Sequence, residues 1–263
     1  MKTLKLELKQ KVNTKGSCAI PWKDAFAVKE TDTLKQKLLL WGADLAGIGD
    51  LTGDAKRSLS SEISNFTRVI SIAVHCSAFE DEQVGINQQP TYYVRRDEAV
   101  RMLEHVLGMA ARRLKRAGFR RLVLPPVGKL CHRPFTRVLY DLFPHRTGAT
   151  CAGLGWIGKN GMLLNSRYGA NLMWGTILTD APLIPAEPIV GNSICSTCDS
   201  CVQACPANAI KGINWDRARG NMSLIDVKAC ATYIDSKSDE QDDQVCAVCV
   251  TSCPLSRRSF PLC

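Results

Sequence analysis

Eight cysteines between residues 195 and 253 constrain this chain more than any other feature. Cys195, Cys198, Cys201 and Cys205 form a C-x2-C-x2-C-x3-C run closed by Pro206. Cys246, Cys249 and Cys253 repeat the last part of that run, closed by Pro254, and Cys230 stands between the two. A run of this kind gives three thiolates to one 4Fe-4S cube. Its fourth cysteine, carried away by a short helical turn and stopped by proline, reaches a neighbouring cube. Two cubes need eight thiolates and the runs hold seven, so Cys230 completes the set. The spacing assigns Cys195, Cys198, Cys201 and Cys253 to one cluster, and Cys205, Cys230, Cys246 and Cys249 to the other. Zinc would take four ligands in paired C-x2-C knuckles and has no use for the closely packed third and fourth cysteines. A disulfide framework fits less well still. The chain opens Met1-Lys2-Thr3-Leu4-Lys5 and has no apolar stretch of signal-peptide length behind those charges.

The rest of the chain is too long to be a simple two-cluster carrier. With 263 residues there is room for one sizeable core and a small second domain. We expect an α/β domain over residues 1–190 and a small double-cluster domain over 191–263, joined where Pro182, Pro185 and Pro188 space out the sequence. No stretch approaches the apolar length of a membrane span, so no membrane insertion is expected. Thirteen cysteines without a secretory signal imply a reducing, cytoplasmic compartment. The formal charge of +9 is uneven: residues 1–190 hold 27 of the 34 Lys and Arg but only 17 of the 25 Asp and Glu. That excess suits an anionic partner such as nucleic acid or a phosphorylated cofactor, or serves solubility alone.

Taken in order, Leu4, Leu6 and Leu8 alternate with charges as in an edge strand, and Thr31 to Thr33 read as the cap of a helix ending at Gly42. Strands are expected at Ala43–Gly49 and Val69–Val74, a long amphipathic helix at Asp97–Ala117, and a strand at Arg121–Leu124. Met162–Asn165 and Leu172–Thr179 read as a hairpin. Alternating helix and strand argue for a layered α/β (α+β) sheet domain. Arg112, Arg113, Arg116, Arg120 and Arg121 could meet phosphates, or form the wet side of the helix.

Between Ala152 and Gly161 lies a glycine-dense stretch, which marks backbone that turns tightly or lets another group approach closely. Gly153-x-Gly155-x-x-Gly158 matches the dinucleotide fingerprint formally. The apolar strand and long helix that should flank it are missing, so a Rossmann site is rejected.

At these residues the sequence resembles the epoxyqueuosine reductase family. The resemblance rests on GLGWIGKNGMLLNSRYG (153–169), on GTILTDAPL (175–183), on the eight-cysteine pattern and, more weakly, on LKQKLLLWGADLAGIGDL (34–51). It implies a nitroreductase-like domain holding a cobalamin, fed with electrons by a ferredoxin-like domain with two 4Fe-4S clusters, and tRNA as the carrier of the substrate. It further implies that Gly155, Trp156, Ile157, Gly158, Lys159 and Asn160 line the corrinoid pocket, with Lys159 in contact. Two departures stand out. The aspartate that serves the family as proton donor has no equivalent at the expected spacing after Leu124, which leaves Asp141 and His145 as candidates, and the family's C-terminal helical repeat domain has no counterpart before Cys263.

The expected function is therefore an iron-sulfur oxidoreductase that receives electrons from a ferredoxin or flavodoxin and performs a reductive reaction in its first domain. An electron-transfer protein or reductive activator without its own substrate is the alternative, and an RNA-binding module with structural clusters a third. Cys18, Cys76, Cys131, Cys151 and Cys263 have no ligand spacing and read as free thiols.

Overall fold

The computed structural model describes residues 22–52, 61, 63–76, 89–126, 143–188, 194–217, 223–236, 246 and 248–257. The expected edge strand at Leu4–Leu8, Asp141, Cys18, Cys131, Cys263 and most of the acidic stretch 235–243 lie outside those residues, as does the expected domain boundary at 190.

A four-stranded antiparallel sheet organises the first part of the chain. Its strands are β1 (Leu45–Asp50), β2 (Arg68–His75), β3 (Arg121–Leu124) and β6 (Leu172–Thr179), in the order β1-β2-β6-β3. The central pair, β2 and β6, is buried along nearly its whole length, which is why both read as continuous apolar runs rather than alternating ones. Alternation then sorts their side chains by face. Ile70, Ile72, Val74 and Ile177 pack against α1 (Trp22–Leu40) and α2 (Gln89–Arg116), while Val69, Ala73, Trp174 and Leu178 line the opposite face. The α2 stripe expected from spacing is what packs here: Leu103, Val106, Leu107, Ala110 and Leu114 are all buried. Burying each of these leucine and valine side chains contributes roughly 1.5–3 kcal/mol.

Helix α1 begins nine residues before Thr31, where a cap was expected. The hydroxyls of Thr31 and Thr33 donate instead to the carbonyls of Ala27 and Lys29, one turn back. A threonine that satisfies itself in this way can sit inside a helix, so its presence does not mark the start of one.

On the second face lies α3 (His145–Cys151), a short helix packed across β1, β2 and β6. After it comes a two-stranded ribbon, β4 (Trp156–Ile157) with β5 (Leu163–Leu164). The expected hairpin of 162–165 with 172–179 is thereby corrected: β5 pairs with β4, and β6 goes into the main sheet between β2 and β3. The sheet is mixed with helices but wholly antiparallel.

In the cysteine-rich part are α4 (Ser200–Ala204), α5 (Val227–Asp235) and α6 (Val248–Thr251), and a β-bridge joins Ile210 to Ile225. Asp226 caps α5 by accepting from the Ala229 amide, and α4 packs on α6.

Candidate metal centre

Each cysteine run is built the same way, with ligand loops leading into one short helix: α4 between Cys198 and Cys205, α6 from Val248 to Thr251. The packing of α4 on α6 brings the runs together. The thiols feel one another accordingly. Burial pushes the Cys201 thiol up, and the neighbouring thiols of Cys195, Cys253 and Cys198 push it further. Burial also raises Cys230, with Cys205 and Cys246 adding to it. Cys249 is pushed up to about 12, first by burial and then by Cys246, Cys201, Cys230 and Cys205. The neighbours of Cys201 are those of the first expected set, and the neighbours of Cys230 those of the second. Cys249 stands where the two sets approach. Like-charge crowding keeps such thiols protonated until a cation compensates them. Cys198 is the exception: it is exposed and held below the ordinary range by hydrogen bonds from Ser200, with a smaller pull from Lys159.

Among the described residues no group of three or more His, Cys, Asp or Glu side chains closes around a metal ion. A cube places each thiolate on a different iron, so its cysteines stand apart around a cluster rather than converging on one atom. The surroundings suit sulfur chemistry as well. Trp156 is buried in a packed group with Cys253, Trp215 and Leu224, against which Cys195 also rests. Among the described residues its indole Nε1 has no hydrogen-bond partner, and a cluster sulfur is an acceptor such a group can use.

The glycine-dense stretch forms the junction between this centre and the sheet. At the tip of the β4-β5 ribbon, Gly158 donates to the Met162 carbonyl and Gly161 donates to that of Gly158, closing the turn. Gly161 has φ +70° and a Cβ there would come within 2.7 Å of the Ile225 side chain. Lys159 and Asn160, both buried, leave the tip toward the cysteine runs. Lys159 Nζ donates to Asp199 Oδ1 at 2.6 Å, and Asn160 Nδ2 donates to the Cys249 carbonyl at 3.0 Å. A second seam lies just beyond. Ala170 donates to the Ser256 hydroxyl and Asn171 Nδ2 to the Ser256 carbonyl, while Gly169, at φ +57°, lets the Ser256 backbone pass where a Cβ would stand at 2.6 Å from it.

The six residues expected along a corrinoid pocket are therefore placed as follows. Trp156 belongs to the packed group around Cys253. Gly155 and Gly158 are filled over by Leu164, and Lys159 and Asn160 are engaged with the cysteine runs. Ile157, like Leu154, keeps part of its surface exposed. Trp156, Lys159 and Asn160 are thus engaged with the cysteine segment, which leaves Leu154 and Ile157 as the side chains of this stretch that keep exposed surface.

His145 is buried at the head of α3, with Nδ1 2.8 Å from the Thr176 hydroxyl and Nε2 2.9 Å from the Pro125 carbonyl. Burial lowers its pKa from 6.5 to about 4, against the raising effect of the Pro125 carbonyl. The ring is neutral at pH 7 and ties β3, β6 and α3 together. Asp199, Arg217 and Ser256 are contributors that the sequence did not announce. Arg217 Nη2 reaches the buried Cys151 sulfur at 2.9 Å, partly offsetting the burial that raises that thiol. On α2, Arg113 pairs with Glu30 and beyond it Arg120 pairs with Asp180, while Arg112, Lys115, Arg116 and Arg121 are exposed.

The fold is shared with two kinds of reductase. A solved epoxyqueuosine reductase matches 87% of this chain and 66% of its own, with a TM-score of 0.59 at 16% identity. A catabolic reductive dehalogenase matches 88% of this chain and 32% of its own, with a TM-score of 0.63 at 16% identity. The sequence likeness is more particular. Epoxyqueuosine reductase of Cyclobacterium marinum is 35% identical over 138 residues, which is 48% of this chain and 41% of that protein. Epoxyqueuosine reductase of Vibrio cholerae is 36% identical over 110 residues, 41% of this chain and 26% of that protein. The chain is thus similar to epoxyqueuosine reductases, and the match spans less than half the length of these curated relatives. No family model matches the chain. Among the described residues no helix is long and apolar enough to cross a membrane.

Proposed function

We propose that the chain is an iron-sulfur oxidoreductase of the epoxyqueuosine reductase type, with one 4Fe-4S cluster on Cys195, Cys198, Cys201 and Cys253 and a second on Cys205, Cys230, Cys246 and Cys249. The observation that carries this reading is the packing of α4 on α6, which sets the cysteine run that begins at Cys195 beside the one that holds Cys249 and Cys253. When bound, the clusters supply one-electron transfer, and a corrinoid would supply the reducing centre on the sheet side.

The chain's own residues have three tasks in this reading. The eight thiols hold the clusters. The β4-β5 tip and Ser256 keep the cysteine runs against the sheet, so that electrons entering from a ferredoxin or flavodoxin are delivered at a fixed place. If the stretch holds a corrinoid, it does so through backbone and through Leu154 and Ile157, the side chains that keep exposed surface there. The reduction also needs a proton. His145 holds its own toward a backbone carbonyl in a buried, neutral state, which leaves Asp141 as the remaining candidate donor. One solved epoxyqueuosine reductase carries an epoxyqueuosine-modified tRNA stem loop, and a reductive dehalogenase structure is described with a B12-dependent mechanism. A modified tRNA is accordingly our substrate class, and the exposed basic residues at the end of α2 suit its phosphates.

Anaerobic reconstitution followed by cobalamin titration tests the reading. About eight iron per chain is expected from two cubes, together with a protein-induced change in the visible spectrum of cobalamin. Full iron with no spectral change would favour an electron-transfer protein or reductive activator without its own substrate. A chain that takes up no iron ends both readings.

A further inference from the structure

Two consecutive polar side chains, Lys159 and Asn160, are only 4% and 2% exposed, although they sit at the tip of a two-stranded ribbon. Each is spent on a different cysteine run. The acceptor of Lys159 is Asp199, the first of the two residues between Cys198 and Cys201, whose main-chain carbonyl accepts from Val202 and Gln203 at the head of α4. The acceptor of Asn160 is the main-chain carbonyl of Cys249 itself. The orientation of the Asn160 amide is fixed, because its Oδ1 accepts from the Met162 N–H at 3.1 Å and the Cys249 carbonyl can only accept. Lys159 is less easily explained by packing. Its side chain is 5% exposed, while that of Asp199 is 50% exposed. Taking an ammonium group out of water is costly, and a well-packed apolar side chain would hold two surfaces together at least as well. A buried cation beside a ligand loop makes sense where negative charge must be accommodated.

We propose that Lys159 and Asn160 are positioning residues for the two clusters, one for each cysteine run, and that the charge of Lys159 raises the reduction potential of the cluster on Cys195, Cys198, Cys201 and Cys253 relative to its neighbour. The inference rests on the reading of the eight cysteines as cluster ligands. Reduction adds an electron to the cluster, so a fixed positive charge favours the reduced form and a fixed negative charge opposes it. Asp199 opposes Lys159 at the same loop. The two partners of one ion pair must therefore act on the potential in opposite directions, which a purely mechanical clamp would not do.

The test is a reductive titration of the reconstituted chain with dithionite, followed by electron paramagnetic resonance, on the wild type and three variants. Lys159→Gln leaves Asp199 alone beside the cluster and is expected to lower one potential. The size expected is about a tenfold change in the reduced-to-oxidised ratio at fixed potential, which is about 59 mV for a one-electron couple. Asp199→Asn keeps an acceptor for Lys159, removes the negative charge, and is expected to raise the same potential. Lys159→Arg keeps the charge and should leave it near the wild-type value. With iron fully bound, potentials that do not move, or that move in the same direction in Lys159→Gln and Asp199→Asn, overturn the proposal and leave the cluster reading intact. A wild-type chain without iron overturns the cluster reading, and this inference with it.

Discussion

The hydroxyl of Thr176 donates to Nδ1 of His145 across 2.8 Å, because the other ring nitrogen is already committed: Nε2 faces the Pro125 carbonyl, which can only accept. This fixes the tautomer and makes the imidazole a neutral link between the middle of β6, the residue after β3, and α3.

Acid should break that link. Burial holds the folded-state pKa of His145 at about 4, below its ordinary 6.5, so the unfolded chain binds the proton more readily. The stabilisation is complete above pH 6.5 and is lost as pH falls toward 4, by roughly 3 kcal/mol at about 1.4 kcal/mol per pH unit. Urea melts at pH 7, 5.5 and 4 should show this loss in the wild type and a shallower one in His145→Gln.

Asp199 and Lys159 are unequal partners in stability. Lys159→Met replaces a buried cation with an apolar side chain of similar length and should cost less than about 1 kcal/mol. Asp199→Ala leaves the cation buried without its acceptor and should cost about 2–3 kcal/mol, less than for a fully buried pair because the carboxylate is half exposed. Comparing the two denaturation midpoints decides it; equal costs would mean that the pair is only a contact.

Gly169 should tolerate no side chain. Alanine there must adopt a left-handed φ of +57° and push against the Ser256 backbone, which together should cost about 1–3 kcal/mol. Limited proteolysis should then cut the segment around Ser256 faster in Gly169→Ala than in the wild type.

Cys230 should matter to one cluster only. Cys230→Ser is expected to reduce iron content to about half of the wild-type value, whereas Cys151→Ser, at a buried thiol beside Arg217, should leave it unchanged. Iron and sulfide assays after anaerobic reconstitution distinguish the two.

The parts that could be read from sequence are those set by local pattern. The α2 stripe follows from helical spacing, and the strands at 45–50, 68–75 and 121–124 from short apolar runs between turns. What escaped depends on distant partners. Leu163 and Leu164 look like half of a hairpin with the next apolar run, yet they pair backward with Trp156 and Ile157, since Leu172–Thr179 finds β2 and β3, which are far away in sequence. Helix α3 was hidden because His145, Gly148 and Thr150 give no apolar periodicity, though the fold buries them all. At the centre, the cysteines declare themselves by spacing, and the glycines signal close approach. Nothing in the pattern says that the approaching group is the cysteine segment, because Asp199 and Ser256 act through their place in space.

The contacts of Ser256 also bear on how the chain reaches its final form. They join positions 85 and 86 residues apart, a closure that local structure cannot nucleate and that is entropically expensive until much else is in place. Ser256 follows Cys253 by three residues, so the seam and the last thiol of the proposed first cluster arrive together. Cluster insertion and docking should accordingly be coupled: a chain refolded without iron and sulfide should leave that seam open, whereas one refolded with them should close it.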